Sequence, residues 1–294
     1  MSDQTRTVSP EELTYLKGWL NKTESLSDEI TVKPVEAMIA TLDRDDLGPK
    51  KGDRLPPLWH WLYFFSHQQQ SLLGPDGHPK RGGFLPPVQL PRRMWAGGRL
   101  NWQPDNPILL GEELQRDSKI LSITHKTGRT GDLLFVTLKH EMHNTRGLAL
   151  SEEHDIVYRA APMPTDTPPA PQVSESAATW QREVVPDDVF LFRYSALTFN
   201  GHRIHYDRKY VTQVEGYPGL IVHGPLIATL LVDLVRRHAH NQFIKAFQFK
   251  AIRPTFDLTP FRVNGTPSDD GKSVKVWSQD HDGFLTMSGQ VDLS

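Results

Sequence analysis

Strand-like runs of aliphatic, aromatic and β-branched residues recur three times in each half of this chain. In the first half they are Lys119–Thr124, Leu133–His140 and Asp155–Arg159, with Gly128 and Gly131 marking the turn between the first two. In the second half Asn241–Lys250, Ser273–Ser278 and Leu285–Val291 repeat the rhythm. Between them, Ala160–Pro171 is too rich in proline for a helix or a central strand. The pattern therefore predicts a linker over residues 161–185, joining an N-terminal half (1–160) to a C-terminal half (186–294).

The clearest helix lies between Val222 and Arg237. Pro225 fits a first turn, where a missing N–H costs little, and Leu226, Ile227, Leu230, Leu231, Leu234 and Val235 recur at helical spacing. Ala228 and Val232 widen the apolar surface beyond one stripe, so the helix is expected to be wrapped on most sides. Arg236, Arg237 and His238 suit its C-terminal end. A buried helix followed by long antiparallel strands predicts an α+β hot-dog arrangement, a sheet curled around a helix. Two such halves make a double hot-dog, with Pro57–Phe65 as the expected helix of the first. The duplication is structural, since no residue-level repeat is visible.

Composition narrows the class. The 294 residues, 37% of them hydrophobic, suffice for packed cores, and a formal charge of −2 gives no case for a nucleic-acid partner. No apolar run approaches the roughly 18 residues of a membrane span, and Met1–Thr5 has no hydrophobic signal core. A soluble, cytoplasmic protein without a membrane partner is expected. The absence of cysteine excludes disulfides, thiolate metal sites and a cysteine nucleophile.

Chemistry concentrates in Arg193–Asp207 and in Gly216–Pro225. The first stretch crowds an amide, two imidazoles and a carboxylate; the second supplies a glycine-proline helix start. Together they offer a proton-handling group and an oxyanion site, which is what addition of water to an activated double bond requires.

The hexapeptide Asn200-Gly201-His202-Arg203-Ile204-His205, followed by Val222-His223-Gly224, resembles the MaoC-type hydratase pattern Asp-x-Asn-Pro-x-His followed by His-Gly at the central helix. The longer match over Tyr194–Asp207 and the two-half layout resemble the itaconyl-CoA and mesaconyl-C4-CoA hydratases and the mitochondrial type 2 hydroxyacyl-thioester dehydratases. The resemblance implies a metal-independent hydro-lyase that takes an acyl-CoA, with coenzyme A entering as part of the substrate and no separate cofactor. One departure matters: Asn200 stands where the pattern has a carboxylate, and an amide does not titrate usefully. His205 is then expected to carry the principal proton transfer. Asn200 would orient water or substrate, or else stabilise an Asn-Gly turn. Asp207, the nearest carboxylate, either replaces the missing acid or caps a helix. Gly224 would direct its N–H at the thioester oxygen, the alternative being a glycine that merely permits the turn. His223 would support the site or pack beside the helix, and Tyr194 would line the acyl pocket or belong to the core.

A metal on His202, His205 and Asp207 is chemically conceivable, as is a second group at His140 and His143, but His140 and His143 would face opposite sides of a strand and a metal would leave Gly224 without a task. No metal is expected. Arg236, Arg237, Lys245, Lys250 and Arg253 are candidates for the phosphates of coenzyme A, against ordinary solvated charge. In the first half, Arg92 or Arg93 is expected to read a distal carboxylate. That half lacks its own motif and is expected to serve as a pocket wall. The preferred substrate is a short branched unsaturated dicarboxylyl-CoA, with itaconyl-CoA to citramalyl-CoA placed first and mesaconyl-C4-CoA beside it. Dehydration of a 3-hydroxyacyl thioester in fatty acid synthesis is the second reading. A non-catalytic thioester-binding scaffold is the third, and homo-oligomerisation stays open.

Overall fold

The computed structural model describes residues 7–128, 131–161, 170–174 and 177–294. In chain order the elements are α1 (Pro10–Lys17), β1 (Thr23–Glu29), α2 (Val32–Thr41), β2 (Arg92–Trp102), β3 (Glu113–Gly128), β4 (Gly131–Asn144), β5 (Gly147–Arg159), β6 (Trp180–Val184), α3 (Asp188–Leu197), α4 (Arg208–Gln213), α5 (Gly224–His238), β7 (Ile244–Ala251), β8 (Phe261–Pro267), β9 (Ser273–Gln279) and β10 (Leu285–Leu293). Among the described residues the ten strands form one antiparallel sheet, ordered β1-β3-β4-β5-β2-β7-β10-β9-β8-β6. The two halves are thus the two ends of a single sheet, joined where β2 pairs β7 through Gly97↔Lys250 and Gly98↔Phe249. A Cβ on Gly97 would lie 2.5 Å from the Phe249 carbonyl oxygen, and one on Gly98 2.9 Å from the Phe249 ring. Glycine here permits the close approach of the two strands.

Local patterning explains the elements. Along β4, Asp132, Leu134, Val136, Leu138, His140 and Met142 point inward in strict alternation. His140 is buried and His143 is not, as their spacing on a strand requires. α5 is sealed more completely: every residue from Leu226 to Val235 is buried, against Val263, Val274, Val276, Met287 and Val291 of the neighbouring strands. This is the hot-dog arrangement expected for the second half. The expected strands are also present, generally longer than the sequence runs.

Two expectations are corrected. Pro57–Phe65 makes only a short 3₁₀ turn at Trp59–Leu62, because Leu58 (φ 71°) and Phe64 (φ 60°) take left-handed backbone on either side and a helix cannot propagate through them. The helix of the first half is instead α2, whose Val35 and Met38 share a core with Leu114, Met142 and Leu150. The end of the expected linker, Trp180–Val184, is the outermost strand β6, paired with β8; the proline-rich residues 162–169 lie outside the described residues. A second core, with Leu16 of α1, Val88, Leu90, Ile120 and Val136, packs along another stretch of the first half's strands. No helix among the described residues is long and apolar enough to cross a membrane.

Asp233 on α5 is a buried carboxylate, 1% exposed. It receives Arg44, Arg182 (3.2 Å) and Arg237 (2.7 Å), so one buried anion gathers α5, β6 and the segment after α2. Asp233→Ala leaves these cations facing an apolar helix and should lower stability by about 3–5 kcal/mol. Urea unfolding measures it; a loss below about 1 kcal/mol would mean that the arginines find other partners.

Candidate active site

The polar stretch from residue 194 to 207 is built by helix ends. α3 is capped by Asp187, whose carboxylate accepts the Phe190 N–H at 2.7 Å, and the chain turns left-handed at Phe199 (φ 49°) just after its end. Asn200 then donates its backbone N–H to the Ser195 carbonyl (2.8 Å), while its side-chain oxygen accepts the His202 N–H at 3.0 Å. Asn200 is therefore an Asx-turn residue holding the loop that presents His202.

His205 follows in a 3₁₀ turn and is buried. Its Nδ1–H donates to the Ile221 carbonyl at 2.6 Å, and this acceptor sets the tautomer, leaving a lone pair at Nε2. Burial pushes its pKa down to about 4, against the raising effect of that bond, with His78 lowering it further. The His205 ring stacks on His223 at 3.7 Å between centroids. His223 is fully buried, shares a 2.7 Å hydrogen bond with the Ser195 hydroxyl and takes the edge of the Tyr194 ring. Burial, with the neighbouring imidazoles, holds it neutral far below the ordinary range. His223 thus backs His205. Tyr194 lies on α3 and belongs to the core behind the pair, the second of the two roles open to it.

Gly224 opens α5 directly after His223, with Pro225 next in the first turn. Among the described residues no carbonyl takes its N–H, and a Cβ built on it would meet nothing within 4 Å. A first-turn N–H beside open space is a donor for a developing oxyanion.

Asp207 does not join this group. One carboxylate oxygen caps α4 through the Tyr210 N–H (2.9 Å), the other takes Arg203 at 2.7 Å, and these bonds hold its pKa low. It is a capping residue, the second of the two roles open to it, so the replacement acid fails on geometry, as does the conceivable metal group with His202 and His205.

The sequence reading missed a turn of the first half. Residues Gly74–Pro79 close on themselves, with the Gly74 N–H on the His78 carbonyl at 2.7 Å, and dock onto the 200–203 loop. Arg203 fastens it: its backbone N–H reaches the Asp76 carbonyl and its Nη1 the Pro75 carbonyl, both at 2.9 Å. Gly77 (φ 88°) abuts Gly201, whose oxygen would be 1.9 Å from any Cβ at position 77. The turn brings Asp76 and His78 to His202, with the His78 and His202 ring centroids 4.1 Å apart. Polar atoms of Asp76, His78 and His202 lie within 4.8 Å of one another, the spacing among the described residues that would admit a divalent ion. Pro75-Asp76-Gly77 signals a tight turn in the sequence, but nothing in it aims the turn at residue 200.

Of the two candidate arginines, Arg92 is committed elsewhere: it hydrogen-bonds the Tyr217 hydroxyl (2.9 Å) and the Glu215 carbonyl and lies over the Tyr217 ring. Arg93 lies beside Tyr158, and its charge acts on His78 and His202. Among the described residues it has no carboxylate partner. Arg236 and Arg237 sit at the far end of α5, about 18 Å from Gly224 by helix rise, and serve Asp46 and Asp233, which removes them from the candidates for coenzyme A. Lys245 and Lys250 are exposed on β7. Arg253, exposed and 3.4 Å from Asp280, lies two residues before Thr255, whose carbonyl accepts the Val222 N–H beside the helix start.

Buried neutral imidazoles tie stability to pH. The folded-state values of His205 (about 4), His140 (about 4) and His154 (about 3) all lie below the ordinary 6.5, with burial the main cause. Between those values the unfolded chain binds more protons, so stability present above pH 6.5 falls as the pH drops toward 4. Each such imidazole contributes up to about 1.4 kcal/mol per pH unit in that window. Urea unfolding at pH 7 and pH 5 should show a clearly lower stability at pH 5; equal values would contradict the burial of uncharged rings.

Comparison with known proteins agrees with this architecture. The family model for hydroxyacyl-thioester dehydratase type 2 matches residues 58–257. A mesaconyl-C(4)-CoA hydratase from Chloroflexus aurantiacus is 45% identical over 278 residues, covering 94% of this chain and 97% of the relative. The mitochondrial hydroxyacyl-thioester dehydratase type 2 of Schizosaccharomyces pombe is 27% identical, covering 81% of this chain and 88% of its own. Among solved structures, a MaoC-like dehydratase from Phytophthora capsici superposes with a TM-score of 0.66 at 12% identity, covering 93% of this chain and 95% of the other, a likeness of fold.

Proposed function

The chain belongs to the hydroxyacyl-thioester dehydratase type 2 family and is a hydro-lyase, and on that premise we propose that it reversibly hydrates a short branched unsaturated dicarboxylyl-CoA. The observation that carries the reading is the pairing of His205, its Nε2 left as a lone pair by the Ile221 bond, with the uncommitted Gly224 N–H at the start of α5. In the forward direction water attacks the β-carbon of the enoyl thioester. The His205 Nε2 accepts a hydrogen bond from that water, the imidazole cluster handles its proton, and the Gly224 N–H takes the charge that builds on the thioester oxygen. Asn200 acts by holding the 200–203 turn, and His223 by backing the His205 ring.

For the acyl group, the 45% identical hydratase is named for mesaconyl-C(4)-CoA, and this substrate and itaconyl-CoA are the first to test. Arg93 suits either, because a half-buried guanidinium without a carboxylate of its own offers a bidentate partner for a free carboxylate on the substrate. Arg253 is the candidate for a phosphate of coenzyme A, by its place two residues from Thr255, which is bonded to Val222 beside the start of α5. The second reading, dehydration of a 3-hydroxyacyl thioester, is favoured by the family match and uses the same groups in reverse. A scaffold without activity would have no use for a fixed imidazole tautomer beside a free helix-start N–H. Homo-oligomerisation and a cytoplasmic location remain proposals, and no cofactor beyond the substrate's own coenzyme A is invoked.

Two measurements test this. Turnover of mesaconyl-C4-CoA, itaconyl-CoA, crotonyl-CoA and a 3-hydroxyacyl-CoA by wild type and His205→Ala should show the dicarboxylyl esters preferred and the variant slower by about two to four orders of magnitude. A His205→Ala rate within a few-fold of wild type would remove His205 from the mechanism. Arg93→Met should reduce kcat/KM for the dicarboxylyl esters by about tenfold or more relative to crotonyl-CoA, the loss of one charge-assisted pair. An unchanged ratio would exclude Arg93 as the specificity residue.

A further inference from the structure

His205 cannot easily keep a proton. Its ring is buried, stacks on one neutral imidazole and stands edge-on to another at 5.4 Å, and Asp207 is turned away into its cap and ion pair. A cation formed there has no carboxylate beside it, and an uncompensated buried charge is costly. The usual remedy, a carboxylate at position 200, is missing, and the Asn200 side-chain oxygen is spent on the His202 N–H.

The carboxylate comes from the other half of the molecule. On the Gly74–Pro79 turn, Asp76 accepts the His78 backbone N–H at one oxygen (3.0 Å) and faces His78 Nδ1 at the other (3.3 Å). The first bond fixes the carboxylate rotamer; the second directs the Nδ1–H of His78 at it and leaves Nε2 as the proton acceptor. Both side chains keep partial access to solvent, 34% for Asp76 and 23% for His78, so a water-sized reactant can reach them. The groups facing the dyad from other elements are His202 and His205 of the second half and Arg93 and Arg81 of the first. Arg81 is occupied by the carbonyls of Leu90 and Pro91 (both 2.7 Å). The docking itself is specific: two backbones meet at Gly77 and Gly201 with no room for a side chain at 77, and Arg203 ties both halves while bound to Asp207. A turn serving only as a wall would not need that contact.

We propose that Asp76 and His78, carried in by the first half, form the proton-transfer dyad of this site and take the place of the carboxylate that position 200 lacks. The assignment rests on the hydratase reading. In the forward reaction the water oxygen bonds the β-carbon while one water proton passes to His78 Nε2, and the second O–H stays hydrogen-bonded to His205 Nε2. The alkene π pair becomes the enolate, its oxygen facing the Gly224 N–H. The His78 imidazolium, its charge matched by Asp76, then returns the proton to the α-carbon. Water is consumed and the enzyme gains and loses no proton overall. Asp76 is a positioning residue acting through His78, and the first half is a working part of the centre as well as its wall.

Asp76→Asn is the direct test, because the amide is isosteric and its oxygen can still accept the His78 backbone N–H. With mesaconyl-C4-CoA, kcat should fall by about two orders of magnitude or more with KM within a few-fold and the urea midpoint unchanged. His78→Ala should lose a similar factor and regain part of it with added imidazole, which a purely structural residue would not do. Chelator-treated wild type should keep its rate. An Asp76→Asn kcat within about threefold of wild type would overturn the dyad while leaving the hydratase reading in place. Loss on chelation with recovery by a divalent ion would overturn it in favour of a metal held by Asp76, His78 and His202. Wild type without turnover would remove the hydratase reading and this assignment together.

Discussion

Everything in this molecule depends on two strands coming closer than side chains allow. The pairing of β2 with β7 runs through Gly97 and Gly98, and it turns two five-stranded ends into one sheet. With any larger residue at Gly97 the Cβ would press on the Phe249 carbonyl, and the two halves would lose that seam. Once the seam is set, the loops that emerge from the halves share a place in space. The Gly74–Pro79 turn and the Asn200–Arg203 loop then meet in a second glycine contact, Gly77 on Gly201. Shape, at two backbone-to-backbone contacts, decides where the chemistry is assembled.

Charge is handled differently at the two ends of α5. At the N-terminal end the helix leaves donors uncommitted beside Gly224, and the surroundings are imidazoles kept neutral by burial. Under the proposed function, the helix-start N–H is the group that would meet negative charge on a bound thioester. Toward the C-terminal end Asp233 is buried where the helix dipole disfavours an anion, and Arg44, Arg182 and Arg237 offset both dipole and burial. One end leaves its first N–H open; the other is closed by ion pairs.

The first half uses a buried charge of its own. Glu152 in β5 receives His60 at 2.9 Å and the Trp61 indole N–H at 3.2 Å from the 3₁₀ turn; against the raising effect of burial, the His60 bond and charge, with His140 and His154, hold its pKa down to about 2. The apolar run that resembled a helix is thus a strap, pinned to the sheet by two polar atoms. Its left-handed residues Leu58 and Phe64 are tolerated because Trp59, Leu62 and Phe64 are buried in the main core.

Much was legible in the residues themselves. The helix over α5 and the strands β3, β4, β5, β7, β9 and β10 follow from local periodicity, since burial of one face writes itself into every second or every third and fourth residue. The order Asn200, His202, His205, His223, Gly224 marked the region of the chemistry for the same reason: those groups lie close along the chain. What the residues did not determine was long-range. β2 and β8 carry glycines and polar residues that break the strand pattern, Pro57–Phe65 is apolar for burial under a sheet and not for a helix stripe, and Asp207 could be assigned to the site or to a cap until α4 appeared behind it. Sequence alone determined a chain of double hot-dog pattern with a hydratase-like centre; only the tertiary structure decided which carboxylate stands beside the imidazoles, because Asp76 and His202 are brought together by a backbone contact between glycines that have no side chain to announce it.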